Sequence, residues 1–151
     1  MYWYVKNTLE NNGYNHYEIS NFSKKGYESK HNMNCWEQKE YVGFGLNAHS
    51  YLDGVRFSNT ENLEKYINKA EKIIHEKQII EDMKKEYMLL GLRKIEGISI
   101  QKFEEKFVEN PIFLFRNELN KLVEEELLEV DGDIIRLTNK GLDLANLVWK
   151  E

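Results

Sequence analysis

The sequence predicts an α+β fold, in which short strands belong mainly to the first half and amphipathic helices to the second. Each half contains an Asp-Gly pair between β-prone segments, which is the pattern of a two-residue hairpin turn. Apolar residues recur at helical spacing along most of the chain beyond residue 60. The 151 residues suffice for one compact domain or two small ones, with a core that needs no disulfides.

The first half alternates between helix, strand and loop signals. Its expected elements are a helix over 2–11, a strand over 16–20, a loop over 21–33, a strand-like segment over 41–45 and a hairpin over 50–57. Asn12-Gly13 offers the left-handed exit of the helix, and alternation of polar and apolar residues predicts the strand. Asp53-Gly54 supplies the positive φ angles of a type I′ turn, so the hairpin is the sharpest of these predictions.

The second half reads as a series of helices interrupted by one hairpin. The expected elements are helices over 61–75 and 82–94, a short helix after Ser99, a helix over 112–126, a hairpin over 127–137 and a last helix after Thr138. Ser99 and Thr138 are suitable N-caps, and Asn110-Pro111 ends the short helix because a residue before proline avoids the helical region. From residue 82 onward, the order helix, helix, helix, hairpin, helix is that of a winged helix.

The charge distribution argues against the nucleic-acid binding that a winged-helix order usually suggests. The net charge of −5 lies entirely in residues 81–151, which hold 16 acidic and 11 basic groups. The helix that would enter a DNA groove, residues 112–126, carries four Glu against one Arg and one Lys, and the hairpin tip contains Asp131 and Asp133. Such a surface repels phosphates. A packing or protein-contact module is favoured, and a winged-helix module that binds DNA or protein stays as an alternative.

The first 60 residues have the composition of a ligand site or an interface. They balance in charge and hold 12 of the 19 aromatic residues, three of the four histidines and the single cysteine. His31 and Cys35 are four residues apart, so on a helical turn they would share a face and could bind a soft metal or an axial position of haem iron. A polar loop with an ordinary histidine and a buried cysteine is the plainer interpretation. Nothing in the pattern places His16 or His75 in a site.

Several function classes are excluded for these residues. One cysteine rules out a disulfide framework, a cysteine-based zinc site and a self-contained iron–sulfur cluster. Apolar runs are too short for a membrane span, and the N-terminus lacks a secretory hydrophobic region, so we expect a cytoplasmic protein. The glycines near residue 43 lack the third glycine and the Lys-Ser/Thr of a phosphate-binding loop. No complete catalytic set is visible.

Four segments in the first half form a familiar series. They are Gly13-Tyr14, Tyr17-Glu18-Ile19-Ser20-Asn21-Phe22, His31-Asn32-x-x-Cys35-Trp36, and Tyr41-x-Gly43-Phe44-Gly45 followed by Ala48-His49-Ser50. This series resembles the region after the radical-SAM core in the oxygen-independent coproporphyrinogen III oxidase-like family, most closely its HemW-like haem-chaperone branch. Thr138-x-x-Gly141 is similar to the last helix of the family's C-terminal domain. The resemblance implies that residues 1–77 are the end of a partial (β/α) barrel with a β-rich closing segment, and that residues 78–151 are a winged-helix-like domain.

The resemblance also implies a haem-handling function, with haem or a porphyrin as the partner. The implied contacts are His31, Asn32, Cys35 and Trp36, with close backbone approach at Gly43, Gly45 and His49. The family has Tyr where this chain has Cys35, a replacement that loses a phenol and gains a sulfur. The alternative within the family is a coproporphyrinogen III dehydrogenase that forms protoporphyrinogen IX.

The family's cluster-binding signature, three cysteines that hold a [4Fe–4S] cluster for cleavage of S-adenosylmethionine, is absent from this sequence. We therefore expect a C-terminal part of a longer protein, whose own N-terminal core would be a partner. Open strand edges and apolar patches left by that core would favour self-association.

Overall fold

Three small antiparallel sheets hold the strands of the residues described by this computed structural model, which are 1–68 and 73–150. The elements before residue 78 are α1 (Tyr2–Asn11), β1 (Asn15–Glu18), β2 (Asn21–Ser23), α2 (Lys30–Trp36), β3 (His49–Leu52), β4 (Val55–Ser58), α3 (Leu63–Ile67) and β5 (Ile73–Lys77). Those after it are α4 (Ile80–Gly91), β6 (Ile98–Ser99), α5 (Ile100–Phe107), α6 (Pro111–Leu114), α7 (Arg116–Glu124), β7 (Leu128–Asp131), β8 (Ile134–Leu137), α8 (Asn139–Asp143) and α9 (Ala145–Val148). The sheet orders are β1–β2, β3–β4–β5 and β6–β8–β7. The mixture of helices and strands confirms the predicted α+β class.

Local turn and cap chemistry places several elements where the sequence predicts them. Asp53 and Gly54 have φ angles of 49° and 71°, so β3 and β4 are joined by the expected tight turn. The Ser99 hydroxyl accepts a hydrogen bond from the Lys102 N–H at 3.1 Å and caps α5. Thr138 caps α8 in the same way. These features need only neighbouring residues, which is why the sequence reveals them.

The predicted loop over 21–33 contains two regular elements, β2 and the start of α2. Strand β2 pairs with β1, and the His16 ring stacks on the Phe22 ring with centroids 4.3 Å apart. Helix α2 begins where the Ser29 hydroxyl accepts a hydrogen bond from the Asn32 N–H at 3.3 Å. The loop prediction was wrong here because α2 is polar and is stabilised by its cap and by packing, which leave no apolar period in the sequence.

The predicted helix over 61–75 was also wrong in its second part. Helix α3 ends at Ile67, and Ile73–Lys77 forms β5, which pairs antiparallel with β4. The strand places Ile73 opposite Ser58, and such β-branched residues suit a strand that has a partner. His75 accordingly lies in a strand and not at a helix end, while Ala70 lies outside the described residues.

Two predicted helices of the second half are each divided by one residue. The helix over 112–126 breaks at Phe115 into α6 and α7, and the last helix breaks at Leu144 into α8 and α9. At the first break, the Phe115 ring meets the Phe103 ring edge-on with centroids 6.2 Å apart. The Phe115 ring therefore packs against the core at the residue where α6 and α7 meet.

Charged residues of the hairpin β7–β8 make hydrogen bonds within the molecule. Asp133 accepts hydrogen bonds from the Ser99 hydroxyl at 2.6 Å and the Gln101 N–H at 2.8 Å, which together lower the pKa of its carboxyl group. Arg136 donates to Glu129 at 2.6 Å. Asp133 at the hairpin tip therefore binds the first residues of α5, which explains one of the acidic residues of the tip.

The main hydrophobic core lies in the second half of the chain. Its buried members all fall between Met88 and Val148, and Phe103 at its centre is fully buried. Before residue 78, the buried hydrophobic side chains of the described residues are Tyr51 and Phe57. No helix in the described ranges is long and apolar enough to cross a membrane.

The end of β1 and the residue after it pair with the segment that follows α4. The Ile19 N–H donates to the Arg93 carbonyl at 3.0 Å, and the Ile95 N–H donates to the Tyr17 carbonyl at 3.2 Å. This backbone pairing holds the segment Tyr17–Phe22 against the second half and sets the position of α2, which follows it.

Candidate functional site

Helix α2 brings two of the predicted ligands onto one face. The Cys35 sulfur lies 3.8 Å from His31 Nε2, one helical turn away. His31 is exposed, whereas Cys35 is half-buried, so the imidazole is the more accessible donor. Asn32 lies in the first turn, where its N–H donates to the helix cap. His31 and Cys35 share a face because the segment is helical.

The surroundings of Cys35 favour the thiol over the thiolate. Burial raises the pKa of the Cys35 thiol, against the opposing effect of the positive charge of Arg56. Because thiolates are the metal ligands, binding of a metal through this sulfur would release a proton.

Trp36 is the last residue of α2 and contacts Arg93, which follows α4. The guanidinium carbon of Arg93 lies 4.4 Å from the centroid of the Trp36 ring, so a cation covers one face of the indole. Trp36 and Cys35 also line a cavity of about 190 Å³, together with Tyr41, Tyr51 and Arg56 among others. Pockets that enclose a small-molecule ligand have roughly 300–1,000 Å³. This cavity cannot enclose a tetrapyrrole, so a large ligand at α2 has to lie on the exposed face.

The floor of this cavity is a charged network around Glu86. Its carboxylate accepts hydrogen bonds from Arg56 at 2.5 Å, Gln78 at 2.8 Å and Gln38 at 3.0 Å. Burial alone would raise the pKa of Glu86, but these hydrogen bonds and the charge of Arg56 lower it. The network connects Gln38, two residues after the end of α2, to α4.

The predicted close-approach residues lie in and beside the loop that follows α2. Only Tyr41 of the strand-like segment over 41–45 pairs with a strand, through a bridge to Tyr51. A Cβ atom at Gly43 would come 2.2 Å from the His49 carbonyl oxygen, so the close approach at Gly43 is to the backbone of β3. Gly45 has a φ angle of +107°, and a Cβ atom there would meet no other described residue within 4 Å, apart from its chain neighbours. The backbone angle therefore explains this glycine.

A larger cavity of about 780 Å³ lies along the opposite side of α2. Lys30, Met33 and Asn34 line it from the helix, and His16 and Arg136 are also among its lining residues. None of the predicted site residues lines this cavity. The sequence-based site and the larger cavity are therefore separate places on the molecule.

Comparisons with known proteins identify the relatives of this chain. Residues 81–144 match the HemN C-terminal domain. The heme chaperone HemW of Lactococcus lactis is 40% identical over 154 residues, which cover 100% of this chain and 41% of that protein. HemW of Bacillus subtilis is 39% identical over 155 residues, covering 99% of this chain and 41% of that protein. This chain is a HemW-like sequence.

A solved structure extends the comparison to the fold. The radical SAM enzyme coproporphyrinogen III oxidase (HemN) from Escherichia coli superposes with a TM-score of 0.71 at 16% identity, covering 97% of this chain and 38% of that one. At this identity the match establishes the fold alone. The HemW-like chain thus spans about two fifths of the length of the relatives named here.

The residues that support α2 could not be predicted from the sequence. Arg93, Arg56 and Glu86 contact or surround Trp36 and Cys35, but they are distant in sequence and carry no local signal. Glu18 lies inside the segment that carries the family resemblance and is completely buried, but its partner Arg93 is distant in sequence and could not be predicted.

Proposed function

We propose that helix α2 of this HemW-like chain binds haem on the face that carries His31 and Cys35. The observation that supports this proposal is the 3.8 Å separation of an imidazole nitrogen and a sulfur on an accessible helix face. Both groups are axial ligands of haem iron in proteins, so the donor set fits this cargo. Because they lie on one face, they compete for a single axial position.

The other predicted residues surround this face in our proposal. Asn32 lies in the first turn of α2, and Trp36 offers the part of its indole that Arg93 leaves uncovered. The Tyr41 ring approaches His31 edge-on with centroids 6.3 Å apart. Through Tyr41, the loop that contains Gly43 and Gly45, together with neighbouring His49, would border the porphyrin.

The experiment is a titration of the 151-residue chain with haemin, followed by the Soret band. We expect the wild-type chain to shift the band, His31→Ala to weaken or abolish the shift, and Cys35→Ser to alter the band position. Asn34→Ala is the matched control, since Asn34 lies on α2 but lines the opposite cavity. An unchanged band and affinity in both the His31 and Cys35 variants would reject the proposal.

For the longer protein we propose a haem-transfer function, since the relatives at 40% and 39% identity are named heme chaperones. Those relatives exceed this chain in length, and a radical-SAM parent would hold a [4Fe–4S] cluster and S-adenosylmethionine in a part that this chain does not match. The residues present do not fit a cluster, because the chain has one cysteine. Haem transfer by a full-length protein without protoporphyrinogen formation would separate a chaperone from a dehydrogenase.

We propose further that residues 1–77 and 78–151 are distinct units, the first a barrel end with a closing hairpin and the second a winged-helix-like domain. The sheet β6–β8–β7 with α4, α5 and α7 before the hairpin supports the second part, as does a hydrophobic cluster whose buried members lie between Met88 and Val148. Residues 78–151 expressed alone should melt cooperatively by circular dichroism. A non-cooperative melt would contradict the division.

A further inference from the structure

Glu18 is a charged side chain with no solvent exposure. Its Oε1 accepts a hydrogen bond from the Ser20 N–H at 3.2 Å and another from the Asn21 side-chain amide. Its Oε2 has no hydrogen-bond partner within the described residues, and the nearest opposite charge is the Arg93 guanidinium, with Nη2 4.0 Å away. A buried carboxylate needs such compensation, so Glu18 and Arg93 depend on each other.

Arg93 is held from two directions. Its carbonyl accepts the hydrogen bond from the Ile19 N–H at 3.0 Å, so β1 and its turn fix the backbone. Its side chain has Glu18 on one side and the Trp36 ring on the other, 4.4 Å from the guanidinium carbon to the ring centroid. Only 27% of the Arg93 side chain is exposed, so the stacked cation is largely shielded from water.

The same segment also supports the start of α2. The Tyr17 hydroxyl accepts a hydrogen bond from the N–H of Ser29, the residue that caps α2, at 3.4 Å. The segment Tyr17–Asn21 thus contacts α2 directly at its first turn and through Arg93 at its last. The segment Tyr17–Asn21 and helix α2, which are separate in the sequence, are therefore connected at both ends of the helix.

We propose that Arg93 is a positioning residue that fixes the indole of Trp36 for the ligand of α2, with Glu18 as its counter-charge. This inference rests on the proposed haem function of α2. Arg93 lies within the residues that match the HemN C-terminal domain, so this domain completes a site whose donors lie outside it. Affinity for haem then depends on a residue that does not touch the haem.

The first test measures the position of Trp36 without haem. Its fluorescence is obtained as the difference between each variant and the same variant carrying Trp36→Phe, because Trp3 and Trp149 also emit. Arg93→Gln leaves Glu18 uncompensated and can unfold the chain, so the double variant Glu18→Gln/Arg93→Gln removes both charges together. We expect a red-shifted, more quencher-accessible Trp36 in the double variant, and recovery of most of the wild-type emission in Arg93→Lys.

The second test titrates the same variants with haemin. We expect up to about tenfold weaker binding in the double variant, because an indole released from Arg93 has to be ordered again on binding, at a cost bounded by one shielded cation–π contact. The matched control is Arg136→Gln, which removes an arginine that pairs with Glu129 and Asp131 and does not stack on Trp36. It should leave both readouts unchanged.

The outcomes separate this inference from the proposed function. Wild-type Trp36 emission in the double variant would overturn the inference, as would a changed emission together with unchanged haemin affinity. If the wild-type chain binds no haemin while Trp36 emission still depends on Arg93, the proposed function fails and the positioning of Trp36 stands.

Discussion

Replacement of Phe103 by alanine is the sharpest test of where the stability of this chain lies. Phe103 is fully buried and is surrounded by Phe107, Tyr87 and Phe115, with ring centroids at 4.7, 5.7 and 6.2 Å. Truncation of a buried phenylalanine costs about 3–5 kcal/mol through lost transfer free energy and the cavity that remains. We expect the upper part of this range, since three aromatic contacts of about 0.5–1.5 kcal/mol each are lost together.

The assay is urea unfolding followed by far-UV circular dichroism, with the free energy of unfolding taken from the midpoint and slope. Phe113→Ala is the matched control, because Phe113 is 77% exposed and its truncation should change stability by no more than about 0.5 kcal/mol. A loss of less than about 1.5 kcal/mol for Phe103→Ala, or equal losses for both variants, would refute the assigned core.

Three further predictions test other parts of the molecule. Burial lowers the pKa of His16 below its ordinary 6.5, so the native state favours the neutral ring and the free energy of unfolding should fall as the pH drops below that value. Urea unfolding at pH 7.5 and 5.5 measures this fall, which is at most about 1.4 kcal/mol per pH unit and should be smaller in His16→Asn. An equal fall in the wild type and the variant would exclude His16 as its cause. Gly97→Ala should lower the unfolding free energy by more than about 1 kcal/mol, because its φ is +80° and a Cβ would lie 2.3 Å from the Ile135 carbonyl oxygen; Gly132→Ala, with open space around it, should cost less in the same assay. Phe44→Ser should reduce any self-association seen by sedimentation velocity, since Phe44 is 88% exposed, and unchanged association would place the contact elsewhere.

Features that depend on neighbouring residues could be predicted from the sequence. The Asp53-Gly54 turn and the caps Ser99 and Thr138 are local, and the structure contains all three. Elements that depend on distant partners could not be predicted from the sequence. Strand β5 exists beside β4, and α2 forms between its cap and α4, and neither partner leaves a periodic signal in the segment itself.

The candidate site likewise has a part that could be predicted from neighbouring residues and a part that depends on distant ones. The spacing of His31 and Cys35 predicted a shared face, and the contact of 3.8 Å follows because the segment is helical. The support of that face by Arg93 and Glu18 could not be predicted, because a buried ion pair between distant segments requires the tertiary structure. The Tyr-Glu-Ile-Ser-Asn-Phe segment identified a family, and its physical role emerged only from the contacts of Glu18.

The geometry of α2 determines where the haem of our proposal would lie. The cavity beside Cys35 and Trp36 has about 190 Å³, so haem bound at His31 would lie on an open surface. Both donors of the proposed site are on the same side of the helix, and they can occupy one axial position of the iron. The proposed site would therefore bind haem without a closed pocket that has to open.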